Sequence, residues 1–276
     1  MQKTVVDQLG NTITINYPPK RIISLVPSQT ELLFDLGLDK ELVGITRFCI
    51  HPENKVNARA RIGGTKNLDT ELIRSLQPDL IIANKEENEK ADVESLAAEF
   101  AVWVSDVSNL EDALDMITKL GETTDRSPEA TYLNHMLEVG FRDLQHLAVE
   151  KGISLPVLYM IWKKPYMAAG RGTFIDDMLR RIGLTNVVSE HRYPLLEMDV
   201  LRAMQPALVF LSSEPYPFSD KHLAEFKEIY PDSKVVIVDG EMFSWYGSRL
   251  LKAIEYLFHL QHSLLSGEDT LPSKTY

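Results

Sequence analysis

The chain has one cysteine, Cys49, in 276 residues. That excludes an intrachain disulfide and any zinc or iron–sulfur site built on several thiolates. Long apolar runs are missing too, and none approaches the ~18 residues that a membrane-spanning helix needs. Positive charge is scarce: 29 Lys and Arg stand against 40 Asp and Glu, a net charge of −11. With no basic stripe, a polyanion such as nucleic acid would be repelled. The signatures Gly-x-Ser-x-Gly, Gly-x-Gly-x-x-Gly and His-Glu-x-x-His are absent. Gly63-Gly64-Thr65-Lys66 lacks the first glycine of a phosphate loop and reads as a turn. The opening MQKTVVDQLGNTITINYPP has neither an apolar core nor a small-residue cleavage site, so as it stands it is not a secretory leader. Two locations stay open: cytoplasmic if Met1 is the native start, periplasmic or membrane-surface if a leader was removed.

What is present describes a globular protein. Apolar residues make up 44% and charged residues 25%, enough for one large or two modest domains with their own cores. TVVDQLG and NTITINY form a hairpin about Gly10-Asn11, which Pro18-Pro19 ends. From Arg21 onward, near-continuous apolar strands alternate with helices: 21–26, 42–46, 80–83, 101–105, then 156–162, 207–212 and 235–239. This is the pattern of parallel strands covered on both faces. A helix follows Pro27, with Ser28 or Thr30 as its cap and Gly37 as its stop. Another runs from about Asp69 to Leu76. Residues 127–150 read as one helix with an apolar stripe at Leu133, Met136, Leu137, Phe141, Leu144 and Leu147, about 35 Å long. Further helices are expected near 174–182, stopped by Gly183, and over 248–264, before a polar tail.

Two internal matches refine the layout. LDTELIRSLQPDLIIA (68–83) aligns with LEMDVLRAMQPALVFL (196–211) at a constant offset of 128 residues. ELLFDLGL (31–38) aligns more weakly with DMLRRIGL (177–184). Common helix–proline–strand grammar is one explanation. The sharper one is two α/β lobes of related design, one on each side of the long helix, with a ligand cleft between them. The expected divisions are an N-terminal lobe with its leading hairpin (1–123), the linking helix (124–150) and a C-terminal lobe (151–276). Glu71 and Asp199 recur at equivalent places on the two lobes, where a partner with matching symmetry could grip both.

The residues that carry this pattern also carry a resemblance. RIISLVPSQTELLFDLGLDKELVGIT, His51-Pro52, IGGTKNLDTELIRSLQPDLIIA and FSWYGSRL (243–250) closely resemble the class III substrate-binding proteins of ABC importers, which carry vitamin B12, siderophores or haem. The resemblance implies two Rossmann-like α/β lobes joined by a single long, rigid backbone helix, with the ligand held between them and little domain closure. It also implies that Glu71 and Asp199 dock against arginines of an ABC permease dimer; Asp199 is one methylene shorter than the family's glutamate. The alternative is that both are solvated acids complementing helix dipoles.

In parallel α/β sheets ligands bind at the carboxyl ends of the strands. The residues there are Arg47, Phe48 and His51; Asn84; Trp162 and Tyr166; Glu214 and Tyr216; and Glu241, Phe243, Trp245 and Tyr246. Each ring either faces a ligand or closes a lobe's core. Large apolar faces with a few polar handles suit a flat macrocycle or a bulky chelate. Against the vitamin B12 pattern, Glu241 stands near the family's Asp, Trp245 occupies the place of its Arg, and Asn84 sits where it has Trp. The cations a catecholate siderophore would need (Arg47, Lys66, Lys85, Lys163, Lys164 and Arg171) are scattered. Haem would want an axial His or Tyr, and His51 is the candidate. The expected ligand is therefore a cobalamin-like corrinoid first, an iron chelate (siderophore or haem) second. The protein itself is expected to hold no catalytic group, no resident metal and no cofactor, and to be a monomer; cobalt or iron would arrive inside the ligand. The runner-up is a cytosolic tetrapyrrole- or metal-handling protein, or a chelatase-like enzyme using His51 with Glu214 or Glu241.

Overall fold

The computed structural model describes residues 1–266; the polar tail lies outside the described residues from position 267 onward. The chain forms two compact units. The first comprises Met1–Val107, Glu111–Met136 and Tyr246–Arg249; the second comprises Ser108–Leu110, Leu137–Trp245 and the chain from Leu250. The division falls inside the long helix, between Met136 and Leu137, so that helix belongs partly to each unit.

In the first unit β1 (Gln2–Val6) and β2 (Thr12–Asn16) form an antiparallel hairpin with Gln2 opposite Asn16. Gly10 supplies the positive φ of its turn, and the Asp7 carboxylate accepts from the Leu9 and Asn11 backbone N–H groups at 2.9 and 2.7 Å. There follow β3 (Ile22–Ser24), α1 (Pro27–Asp35), β4 (Leu42–Ile45), α2 (Glu53–Val56), β5 (Ala60–Arg61), β6 (Gly63–Gly64), β7 (Asn67–Leu68), α3 (Thr70–Leu76), β8 (Leu80–Asn84), α4 (Lys90–Ala97) and β9 (Val102–Ser105). The sheet order is β5-β4-β3-β8-β9, all parallel. Every residue of β3, β8 and β9 is buried, as the unbroken apolar runs predict for a sheet with both faces covered.

One expected cap is corrected. Neither Ser28 nor Thr30 caps α1; the helix starts at Pro27 with Val26 as N-cap and no side-chain cap. Proline at the first position has no N–H to satisfy, and the Thr30 hydroxyl turns back to the Val26 carbonyl at 2.9 Å. Two longer helices follow, α5 (Leu110–Thr124) and α6 (Ser127–Lys151). The 25 residues of α6 make a rod of about 37 Å. Its buried stripe is Ala130, Leu133, Leu137, Phe141, Leu144 and Ala148, and Met136 is exposed. Of the expected stripe, Met136 therefore turns outward and Leu147 is only half-buried.

The second unit contains β10 (Leu155–Trp162), β11 (Met167–Ala168), α7 (Phe174–Arg181), β12 (Leu184–Asn186), α8 (Met198–Ala203), β13 (Leu208–Ser212), α9 (Asp220–Ile229), β14 (Lys234–Val238), α10 (Glu241–Ser244) and α11 (Leu250–Ser266). β12, β10, β13 and β14 are parallel in that order, and β11 adds an antiparallel edge to the far half of β10. Leu158, Met160, Val209, Leu211 and Phe226 fill one side of this sheet.

Both internal matches correspond to repeated structure. α3 leads through Gln77-Pro78 into β8, and α8 leads through Gln205-Pro206 into β13. Gly37 after α1 and Gly183 after α7 both take positive φ, +79° and +85°, the left-handed ending that glycine adopts without a Cβ penalty. The copies differ in detail. Gln77 closes α3 at φ 47°, whereas Met204 leaves α8 in an extended conformation.

Candidate functional site

Each parallel sheet has a point where consecutive connections run in opposite directions, and its crevice is where such sheets take ligands. In the first unit it lies between β3 and β8, because the chain leaves β3 toward β4 and leaves β8 toward β9. In the second it lies between β10 and β13, whose chains leave toward β12 and β14.

The crevice of the first unit is closed by its own side chains. Asn84, at the end of β8, is buried and fully engaged. Its amide donates to the Ser105 hydroxyl at 3.0 Å, and its carbonyl oxygen accepts from the Glu86 and Glu87 N–H groups at 2.8 and 3.0 Å. Asn88 bridges the Leu25 and Thr65 carbonyls. Asn84 is therefore a fastener of the strand end, with no polar atom left for a ligand. Arg47 and Phe48 remain exposed after β4; the guanidinium lies 4.9 Å from the Phe48 ring centre, a cation–π contact. Both lean on Gly64, where a Cβ would stand 3.2 Å from the Phe48 ring. His51 is half-buried in the following loop. A separate cavity of about 850 Å³ is bounded by β2, α4 and the edge strand β9, with Asn84 and Lys85 at the end of β8 also in its lining.

The crevice of the second unit presents an aromatic wall. Trp162, at the end of β10, is exposed and packs edge-on against Tyr216 at 5.4 Å between ring centres; Tyr216 continues onto Phe218 at 4.7 Å. Behind them Tyr166 donates to Glu225 at 2.9 Å, and Glu225 also holds Lys163. Burial would raise the Glu225 carboxyl, but the Lys163 and Tyr166 bonds outweigh it and leave it below its ordinary range. Burial and the Glu225 bond push Tyr166 up to about 12. His222 accepts from the Ser219 N–H at 2.9 Å, and burial, then Lys163 and Lys221, lower its affinity for a proton. His222 and Glu225 escaped the sequence reading because they lie in α9 rather than after a strand. The three-residue spacing from Ser219 to His222, a capping box in the structure, was the available signal.

Beside this wall, Glu214 accepts from the Ser244 hydroxyl at 2.8 Å and from the Trp245 indole N–H at 3.0 Å. Burial is the main cause that pushes the Glu214 carboxyl up to about 7, with Glu241 and Asp239 adding to it. Trp245 and Glu241 are half-buried. Phe243 departs from expectation. It is fully buried, 5.2 Å from Tyr159 and 6.2 Å from Tyr256, and is a core ring with no face for a ligand. Tyr246 belongs to the first unit and is buried there. The structure thus brings together Trp162, Tyr166, Glu214, Tyr216, Glu241 and Trp245 in the second unit, and Arg47 and Phe48 in the first.

Glu71 and Asp199 are both exposed in the first turn of their helices, α3 and α8. Asp69 caps α3 through the Leu72 N–H at 2.9 Å, so Glu71 is not needed as a cap. Among the described residues no three His, Cys, Asp or Glu side chains gather into a group that could hold a metal ion, and no helix is long and apolar enough to cross a membrane.

Comparison with known proteins adds relatives to this geometry. The sequence profile of a family described as periplasmic binding protein matches residues 22–229. An uncharacterised ABC transporter substrate-binding lipoprotein of Bacillus subtilis, YvrC, is 25% identical over 271 residues, 92% of this chain and 83% of that protein. A vitamin B12-binding protein of Vibrio cholerae is 27% identical over 202 residues, 71% of each. Among solved structures, the periplasmic vitamin B12-binding protein BtuF of Vibrio cholerae superimposes with a TM-score of 0.77 at 20% identity, covering 91% of this chain and 99% of that one. A periplasmic haem-binding protein of Pseudomonas aeruginosa gives 0.78 at 20% identity, covering 92% and 95%.

Proposed function

The chain belongs to the periplasmic binding protein family, and from that premise we propose that it is the solute-binding component of an ABC importer whose cargo is a corrinoid or an iron chelate. The observation that carries the choice of cargo is the Trp162–Tyr216 pair, Trp162 exposed and Tyr216 half-buried, at the reversal point of the second sheet. One exposed and one half-buried ring with polar handles at Glu214 and Glu241 favour a large, flat, largely apolar ligand. Lys163, which lies behind the wall, is spent on Glu225, which takes one cation away from the free positive charge that a trianionic catecholate complex demands. That favours a corrinoid over a siderophore. The named relatives are binding proteins, and a binding role is favoured over the chelatase-like one. Periplasmic or membrane-surface placement follows the same relatives. Glu71 and Asp199 are proposed as the acids that meet the permease.

Calorimetric titration with cyanocobalamin, haemin and ferric siderophores tests the reading. Saturable one-to-one binding of one of them is expected. No heat from any of them at ~100 μM, where even weak binding is worth about −5.5 kcal/mol, overturns it.

A further inference from the structure

Glu214 follows β13 and Trp245 follows α10, so the bond between them ties the loop after β13 to the end of α10. The approach is close. A Cβ on Gly240 would stand 2.6 Å from the Glu214 Cγ and 2.5 Å from the Ser212 hydroxyl oxygen. The loop is locked on both sides: Ser213 accepts from the Gly240 N–H at 3.0 Å, and Ser212 donates to the Glu214 carbonyl at 2.6 Å. Two donors converge on one Glu214 oxygen, Oε1, the Ser244 hydroxyl and the Trp245 indole. Bonds to an ionised acceptor are about twice as strong as those to a neutral one. The indole is therefore held firmly when the carboxyl is charged and loosely when it is neutral.

We infer that Glu214 is a positioning residue: its carboxylate fixes the Trp245 ring against the strand ends of the second unit, and protonation of that carboxylate releases the ring. Resting on the proposed solute-binding role, this makes cargo affinity fall as the medium becomes acidic. The groups facing Glu214 set the midpoint. Asp239 at the end of β14 and Glu241 in α10 are acidic neighbours. Tyr159 of β10 reaches the same loop through the Ser212 hydroxyl at 3.2 Å, and Tyr256 of α11 sits behind Asp239, accepting its N–H at 3.1 Å. Burial and the two acids hold the carboxyl at about 7, while the Ser244 and Trp245 bonds pull it down.

The test is fluorescence of the full chain without ligand between pH 5 and 9. Subtracting the spectrum of Trp245→Phe isolates the Trp245 emission from Trp103 and Trp162. A transition near pH 7 is expected. Glu214→Gln should abolish it, and Ser244→Ala should move its midpoint upward because a bond favouring the charged form is lost. In a second arm, calorimetry with cyanocobalamin should show affinity falling about fivefold from pH 8 to pH 5.5 in the wild type and flat in Glu214→Gln. A Trp245 emission that ignores pH, or an identical transition in Glu214→Gln, overturns the inference. Failure of the wild type to bind any tested cargo overturns the solute-binding reading instead, and the ligand-free titration still decides whether Glu214 holds the indole.

Discussion

Replacing Arg249 by methionine removes the cation from a buried pair and leaves its partner stranded. The Arg249 guanidinium meets Glu31 two-handed, Nε to Oε2 at 2.6 Å and a terminal nitrogen to Oε1 at 2.7 Å, with side chains only 2% and 6% exposed. Removing one partner of such a pair costs about 3–5 kcal/mol, because a carboxylate is left in the interior without its counter-charge. Removing both, as Glu31→Leu with Arg249→Met, eliminates the desolvation cost along with the attraction and should return to within about 1 kcal/mol of wild type. Urea unfolding followed through Trp103, the tryptophan of the first unit, measures the effect. A loss of about 4 kcal/mol moves the midpoint down by about 2 M at a slope of roughly 2 kcal/mol per M. A single variant within about 1 kcal/mol of wild type, or a double variant no better than the single, would refute the reasoning that this pair is desolvated and mutually dependent.

Other consequences are more direct. Phe243→Ala should destabilise the second unit by about 3–5 kcal/mol, the usual cost of emptying a large buried ring site, read by thermal circular dichroism. Glu214 has a raised pKa when folded, so its contribution to stability is present below about pH 4.5 and lost as pH rises through about 7. Relative to Glu214→Gln, the wild type should lose about 3 kcal/mol across that window, measured by urea midpoints at each pH. Charge reversal at Glu71 and Asp199 together should abolish cargo uptake in cells while calorimetric affinity for the cargo stays the same; reduced affinity would show that these acids are not docking residues.

The architecture was legible because its signals are local. Unbroken apolar runs announced β3, β8 and β13, and Gly37 and Gly183 stand where positive φ is required. The same grammar identified strand ends as the source of site residues. It could not say which way each side chain turns. Asn84 ends β8 and Phe243 lies in α10 after β14, yet one spends its amide on Ser105 and the other is walled in by Tyr159, Phe210 and Tyr256. Those outcomes depend on partners 21 and 84 residues away, beyond any period or motif. Glu214 was named from sequence as a ligand residue. Its hold on Trp245 across 31 residues became visible only with the fold.

The Glu31–Arg249 pair also bears on how the protein is made. Its members are 218 residues apart, and the short segment Tyr246–Arg249 is the last piece of chain to join the first unit. At the ~5–20 residues per second of synthesis, Glu31 waits roughly 10–40 s for its arginine. During that interval the first unit lacks its closing piece, and a carboxylate destined for the interior stays better solvated outside it. Completion of the first unit is thus tied to the emergence of Arg249, long after the strands and helices that surround Glu31 have been made.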